Sequence, residues 1–138
     1  MKIRELMQPD VVTVREDSPA KDAFEIMRRR RFRHLMVLDK QGQLVGIVSD
    51  RDFLNVAVMF KKRPASAEEY LIDDKLQVRD VMTTEPATVT PDDDLGHAID
   101  LMLDLLINGL PVVDNGKLVG VVTHTDLLRL LKKLSENL

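Results

Sequence analysis

Two short segments of the chain contain the same pair of chemically active side chains. Ser49 stands three positions before Asp52, and Thr123 stands three positions before Asp126. At the start of a helix, such a hydroxyl accepts a backbone N–H, and the acid favours the positive helix end. A carboxylate is also an acceptor-only fork that suits a vicinal diol, and a free helix N-terminus suits a phosphate. The pattern predicts helix caps that are also able to bind a polar ligand.

The elements that must position these pairs occur twice in the chain. Residues 3–54 and 78–128 follow one order of signals, and each copy ends in a glycine, a β-branched strand and the hydroxyl–acid pair. A repeat of this length indicates units that need a neighbour to bury their apolar faces. Two copies related by a pseudo-two-fold axis would place equivalent side chains opposite each other across a cleft, where we expect the function to lie.

Each copy predicts the order β-α-β-β-α after a short amphipathic turn. The first helix of each copy is predicted to start at Ser18-Pro19 or at Thr90-Pro91, with a hydroxyl cap followed by proline. Asn115-Gly116 between two apolar runs is a strong hairpin signal. The strand glycines Gly46 and Gly120 indicate a bulge or a close approach by backbone or ligand.

These signals together predict an α/β (α+β) fold of tandem repeats, with two small sheets flanked by helices. We expect repeat 1 at residues 1–60, a connector at 61–77, and repeat 2 with a C-terminal helix at 78–138, all in one integrated module. A chain of 138 residues is about one domain in length.

Composition argues against several classes of protein. The chain has no cysteine, which excludes disulfides and thiolate zinc sites. A net charge of −3 gives no general attraction to nucleic acid or to an anionic membrane. No apolar run approaches the roughly 18 residues of a membrane span, and the early Glu5 argues against a signal peptide. We expect a cytoplasmic protein that does not enter a membrane.

The other candidate residues give weaker signals. The three histidines show no metal-ligand spacing, and no nucleophile–base pair or phosphate-binding glycine motif is present, so we expect neither an enzyme nor a metal site. Asp92–Asp94 are interpreted as helix-start acids. The run Arg28–Arg31 is interpreted as a solvated helix end, and nucleic-acid binding is the less favoured reading. Leu105 and Leu106 replace two of these arginines in repeat 2 and, with the leucine-rich segment 127–134, favour a homodimer formed through helices.

The most specific segments of the two copies are Arg33–Asp39 and Gly46–Leu54 in repeat 1, and Gly109–Asp114 and Gly120–Leu128 in repeat 2. In these segments the sequence resembles the cystathionine beta-synthase (CBS) domain, present as one complete pair of the stand-alone prokaryotic type. The resemblance implies a regulatory, energy-sensing module that binds an adenine nucleotide (AMP, ADP or ATP) or S-adenosylmethionine reversibly between the repeats. It also implies that no cofactor is tightly bound and that ligand occupancy is transmitted to a partner protein.

The resemblance further implies two ligand sites, each combining residues of both repeats. In the family an Asp accepts the ribose hydroxyls, a Ser or Thr lies near the sugar or phosphate, and apolar strand residues enclose the adenine. Carried over to this chain, site A comprises Ser49, Arg51, Asp52, Glu85, Ala87, Asn108, Gly109, Leu110 and Pro111. Site B comprises Asp10, Val12, Arg33, His34, Leu35, Met36, Thr123 and Asp126.

The two implied sites differ in charge. Arg33 and His34 stand where the family places phosphate contacts, whereas repeat 2 has the neutral pair Asn108-Gly109 there. We therefore expect site B to prefer phosphorylated ligands, and site A to be weaker or to take a less charged ligand. The alternative is a structural dimerisation or scaffold module without a physiological nucleotide ligand. Added adenosine nucleotides would raise the melting temperature of a sensor but not of a scaffold.

Overall fold

The computed structural model describes residues 1–60 and 72–138, with side chains of the first range described up to residue 57. Residues 61–71, most of the predicted connector, lie outside this part. The described part contains six strands and four α-helices. In chain order these are β1 (Thr13–Arg15), α1 (Ala20–Arg30), β2 (His34–Leu38), β3 (Leu44–Ser49), α2 (Asp50–Phe60), β4 (Thr83–Thr84), α3 (Leu95–Leu105), β5 (Gly109–Asp114), β6 (Lys117–Thr123) and α4 (His124–Glu136). The predicted α/β class, with two small sheets and flanking helices, is confirmed.

The chain divides into two compact units whose limits differ from those of the sequence repeats. The middle unit is Val12–Glu85, and the terminal unit combines Met1–Val11 with Pro86–Leu138. Each unit thus contains most of one repeat together with the opening segment of the other. The two amphipathic turns, which are the 3-10 helices Ile3–Glu5 and Val78–Asp80, follow this exchange. A single repeat would therefore lack a segment that belongs to its compact unit.

The middle unit is built on a four-stranded sheet in the order β1-β2-β3-β4. β1 runs parallel to β2, and the remaining neighbours are antiparallel. Helix α1 buries one face because its apolar residues recur at helical spacing. The core of the unit consists of Ala20, Ala23, Phe24, Met27, Leu35, Val37, Val48, Phe53 and Val78.

The terminal unit is built on the β5–β6 hairpin. Its turn residues Asn115 and Gly116 both have positive φ, at 49° and 78°, as a tight hairpin turn requires. The predicted first strand of repeat 2 is reduced to a single parallel bridge between Val89 and Val112. The core of the unit consists of Ile3, Val89, Ala98, Met102, Leu110, Val112 and Val122.

The first helix of repeat 1 begins later than the sequence predicts. Ser18 is not its N-cap, because α1 starts at Ala20 with Pro19 in the cap position. The backbone ahead of the helix is paired elsewhere. Val78 N–H donates to the Ser18 carbonyl at 2.9 Å, and Ala20 N–H donates to the Leu76 carbonyl at 2.8 Å. These long-range hydrogen bonds hold the preceding residues extended, so the helix cannot start among them.

The first helix of repeat 2 shows the same delay, because α3 begins at Leu95 rather than at Pro91. The Asp93 carbonyl accepts the N–H of Ile3 at 3.0 Å, and the Pro91 carbonyl accepts the N–H of Arg4 at 2.9 Å. Ile3 and Arg4 therefore bind carbonyl groups of the segment that the sequence predicts as the first turn of this helix.

The acids Asp92–Asp94 accordingly precede α3 instead of lying in its first turn. Asp94 pairs with Lys2 at 2.8 Å, which lowers the pKa of the Asp94 carboxyl and raises the pKa of the lysine. The backbone N–H of Thr90 lowers the pKa of Asp93. Asp92 accepts a hydrogen bond from Arg4 Nε at 3.1 Å, so the local fold explains all three acids.

The buried apolar stripe of α3 ends at Met102. Leu95, Ala98 and Met102 are buried, whereas Leu105 and Leu106 are 52% and 91% exposed. Leu106 adopts a left-handed conformation at the end of the helix, so these two leucines lie outside the core.

Gly46 in β3 and Gly120 in β6 lie where another backbone segment approaches the strand. A Cβ on Gly46 would lie 2.9 Å from the Thr83 carbonyl oxygen, and a Cβ on Gly120 would lie 3.0 Å from the Gln8 carbonyl oxygen. The predicted close approach is confirmed. In both units backbone takes part in it, together with the side chain of Met82 at Gly46 and of Met7 at Gly120.

Gly46→Ala is expected to lower the free energy of unfolding by about 1–3 kcal/mol, because the added methyl group overpacks a filled site. Gly96→Ala provides a matched control. Gly96 lies within α3, and its Cβ would meet no atom within 4 Å, so the higher helix propensity of alanine should add up to about 1 kcal/mol. Urea denaturation followed by circular dichroism measures both changes. Equal shifts in the two variants would contradict the steric explanation.

Candidate functional site

The middle unit presents a hydroxyl and a carboxylate at the start of α2. Asp52 N–H donates to Ser49 Oγ at 3.2 Å, and Ser49 N–H donates to Asp52 Oδ2 at 2.9 Å. This reciprocal capping confirms the predicted cap. Asp52 is half-buried, and within residues 1–60 and 72–138 nothing donates a hydrogen bond to its Oδ1. Ser49 and Asp52, here called the middle half-site, thus leave one carboxylate oxygen without a donor among the described residues.

The terminal unit presents the equivalent pair at the start of α4. Thr123 N–H donates to Asp126 Oδ2 at 2.8 Å, and Asp126 N–H makes a longer contact of 3.4 Å with Thr123 Oγ1. The other carboxylate oxygen, Oδ1, accepts the side-chain amide of Gln8 at 3.0 Å. Asp126 is only 3% exposed. In Thr123 and Asp126, here called the terminal half-site, both carboxylate oxygens already accept hydrogen bonds.

Each half-site lies beside two residues of its own unit, one directly before a strand and one at the start of that strand. In the middle unit, His34 pairs with Ser49 in the β2–β3 ladder, and the Arg33 carbonyl accepts the N–H of Asp50 at 3.0 Å. The basic residues Arg33 and His34 therefore adjoin the start of α2.

The terminal unit repeats this arrangement with neutral residues. Gly109 pairs with Thr123, and the Asn108 carbonyl accepts the N–H of His124 at 3.0 Å. The β5–β6 ladder and this hydrogen bond thus place Asn108 and Gly109 beside the start of α4. The middle unit has a basic pair of residues at this position, and the terminal unit has a neutral pair.

Both predicted sites draw residues from both units. In the middle unit lie Ser49, Arg51, Asp52 and Glu85 of site A, with Val12, Arg33, His34, Leu35 and Met36 of site B. In the terminal unit lie Ala87, Asn108, Gly109, Leu110 and Pro111 of site A, with Asp10, Thr123 and Asp126 of site B. The joining of these residues into sites A and B stays a prediction.

Four of the apolar candidates of these sites are buried, whereas Val12 and Ala87 are half-buried. Leu35 and Leu110 have 0% exposure and belong to the cores of their own units. Met36 and Pro111 are also buried. Contact of these side chains with an adenine ring stays a prediction, and packing accounts for Leu35 and Leu110 without it.

Gln8, which contacts Asp126, is not among the site residues that the sequence predicts. Gln8 occupies the position in repeat 1 that Thr83 occupies in repeat 2. This inequality between the repeats is visible in the sequence, but the distance from Gln8 to Asp126 along the chain hides the contact.

The family model of the CBS domain matches residues 3–58 and 78–133. The chain belongs to the CBS domain family. Because the two matched segments correspond to the two sequence repeats, the expected CBS pair is confirmed.

Several proteins resemble this CBS pair over nearly their whole length. An uncharacterized protein of Methanocaldococcus jannaschii is 32% identical, with 95% of this chain and 91% of that protein covered. The CBS domain pair of protein MJ0100, solved in complex with 5′-methylthioadenosine and S-adenosyl-L-methionine, has a TM-score of 0.80 at 25% identity and 96% and 97% coverage. The structure of CBSX2 in complex with AMP has a TM-score of 0.78 at 28% identity and 97% and 98% coverage. These solved structures share the fold of this CBS pair.

A groove of about 510 Å³ in the terminal unit of the CBS pair adjoins Asp126. It runs along α4 and the N-terminal segment, and its lining residues are Met1, Glu5, Leu6, Gln8, Asp126, Arg129, Leu130, Lys132, Lys133 and Glu136. Because Gln8 and Asp126 both line it, the groove gives access to the contact between them.

The described part of this CBS pair contains neither a metal-ligand cluster nor a membrane-spanning helix. Among the residues that the structure describes, no three His, Cys, Asp or Glu side chains are grouped as a metal site requires. No helix in that part of the chain has the length and apolar character to cross a membrane.

Proposed function

We propose that this CBS pair is a regulatory module that binds adenosine-containing ligands reversibly and transmits their occupancy to a partner protein. The observation that carries the proposal is the middle half-site. There a carboxylate oxygen with no donor among the described residues lies beside the positive N-terminus of α2. A vicinal diol supplies two hydroxyl donors to such a carboxylate, and the helix N-terminus favours an attached phosphate.

The solved relatives support this class of ligand. The CBS domain pair of protein MJ0100 was solved with 5′-methylthioadenosine and S-adenosyl-L-methionine, and CBSX2 was solved with AMP. Both kinds of ligand carry a ribose diol. The candidates for this chain are AMP, ADP, ATP and S-adenosylmethionine, bound in sites A and B by the residues assigned above.

The proposal is tested by following the melting temperature during addition of AMP, ATP or S-adenosylmethionine. A ligand that binds only the folded protein stabilises it by about 2.7 kcal/mol at 100 times its Kd, so the melting temperature should rise with concentration. The matched control is 2′,3′-dideoxyadenosine monophosphate, which retains the base and phosphate but cannot donate hydroxyls to Asp52. It should bind at least about 100-fold more weakly, since it loses two hydrogen bonds to a charged group, each of which contributes roughly 1.5–3 kcal/mol.

A scaffold module is the second candidate function, and the surface of α4 favours it. Leu128, Leu131 and Leu134 recur at helical spacing and are 65%, 61% and 55% exposed. This apolar stripe suits a homodimer formed through helices. Absence of any melting shift with millimolar adenosine compounds, together with a stable dimer in sedimentation, would favour the scaffold over the cytoplasmic sensor that we propose.

A further inference from the structure

The backbone of Gln8 is held firmly, whereas its side chain is exposed. Gln8 N–H donates to the Val121 carbonyl at 2.8 Å, and Val121 N–H donates to the Gln8 carbonyl at 3.0 Å. Gly120 permits this approach, because a side chain there would crowd the Gln8 carbonyl. The exposed side-chain amide can therefore rotate away from Asp126 into the adjoining groove without disturbing the backbone pairing.

The middle unit has the same backbone arrangement with a different side chain. Thr83 pairs with Ile47 in the β3–β4 ladder, at the position that corresponds to Gln8 opposite Val121. The shorter Thr83 makes no hydrogen bond to Asp52 in the described part of the chain. The half-buried Asp52 and the covered Asp126 thus differ in the side chain at one register position.

We propose that Gln8 is an intramolecular competitor for the Asp126 carboxylate, so that the terminal half-site accepts a ligand diol only after the Gln8 amide has left it. This inference rests on the proposed function. Asp126 has lone pairs beyond those in use, but with 3% exposure it offers a second donor almost no access while Gln8 stays in place.

The competition makes the two half-sites respond at different ligand concentrations. The middle half-site binds a diol without displacing any described protein donor, whereas the terminal half-site must give up a charge-assisted hydrogen bond. This order is the reverse of the one expected from Arg33 and His34 alone. A low ligand concentration fills the half-site of Asp52, and a higher one is needed at Asp126.

The test isolates the terminal half-site by titrating AMP into the Asp52→Ala protein with and without Gln8→Thr. Threonine is the natural residue at the equivalent position and is compatible with strand pairing. Gln8→Thr is expected to tighten AMP binding about tenfold in this background, which is the lower end of the range for one hydrogen bond to a charged group. The reciprocal change, Thr83→Gln in the Asp126→Ala protein, is expected to weaken binding by a similar factor.

Unchanged AMP affinity in both pairs, with unaltered melting curves and with binding by the wild-type protein, overturns the role of Gln8 and leaves the proposed function standing. Failure of the wild-type protein to bind AMP, ATP or S-adenosylmethionine overturns both. A second readout is the NMR signal of the Gln8 side-chain amide, identified by its loss in Gln8→Thr. It should shift when ligand fills the terminal half-site of the Asp52→Ala protein, and a signal that stays fixed at saturation contradicts displacement.

Discussion

Asp52→Ala is expected to weaken AMP binding at the higher-affinity middle half-site by at least about 100-fold. The carboxylate of Asp52 would accept two ribose hydroxyls, and hydrogen bonds to a charged group contribute roughly 1.5–3 kcal/mol each, of which about 1.4 kcal/mol corresponds to a factor of ten. Isothermal titration with AMP measures the loss. Because Asp52 also caps α2, the same substitution should lower the free energy of unfolding by about 1 kcal/mol.

Two further variants separate binding from capping. Asp52→Asn retains an oxygen that can accept the Ser49 N–H but replaces the charged fork, so it should keep most of the stability and still lose affinity. Asp50→Ala removes an exposed carboxylate from the same helical turn, where it accepts only the N–H of Arg51 among the described residues. It should bind AMP normally. Equal affinities for Asp50→Ala and Asp52→Ala would contradict the assignment of Asp52.

Phe53→Ala is expected to lower the free energy of unfolding by about 3–5 kcal/mol, the range for removing a buried aromatic side chain. Phe53 has 0% exposure, and its ring centroid lies 5.5 Å from that of Phe24 in the core of the middle unit. Typical domains are stable by only about 5–15 kcal/mol, so this variant should lose a large part of its stability. Urea denaturation followed by circular dichroism provides the measurement.

The matched comparison for Phe53 is Leu127, which holds the equivalent position in repeat 2. Leu127 is only partly buried, so Leu127→Ala should cost clearly less than Phe53→Ala. Phe53→Leu, which keeps much of the side-chain volume, should fall between wild type and Phe53→Ala. A loss below 1 kcal/mol for Phe53→Ala would show that the middle unit does not depend on the contact between the two phenylalanines.

Much of the local structure could be predicted because its signals lie close together in the chain. The hairpin at Asn115-Gly116 depends on two adjacent residues that adopt positive φ. The caps at Ser49 and Thr123 depend on an acid three positions later. The close approach at Gly46 was inferred from a glycine within a β-branched strand, although its partner was not identified.

The helix starts and the limits of the compact units could not be predicted in the same way. Whether Ser18 caps a helix or accepts the N–H of Val78 depends on hydrogen bonds to a segment far along the chain. A local helix-start signal competes with that pairing and loses here. The exchange of the opening segments between the two units has the same origin, since it is defined by long-range contacts.

The sequence by itself determined the repeat, the family and the two hydroxyl–acid pairs, because each of these is specified by residue types at short spacing. Only the tertiary structure decided that the two pairs are unequal. Gln8 and Asp126 are brought within 3.0 Å by strand pairing between the first residues of the chain and β6. Thr83 stands at the same register position in the other unit but does not reach Asp52. Side-chain length at one paired position, together with burial of the carboxylate, separates the two half-sites, and neither can be evaluated until the fold has placed these residues side by side.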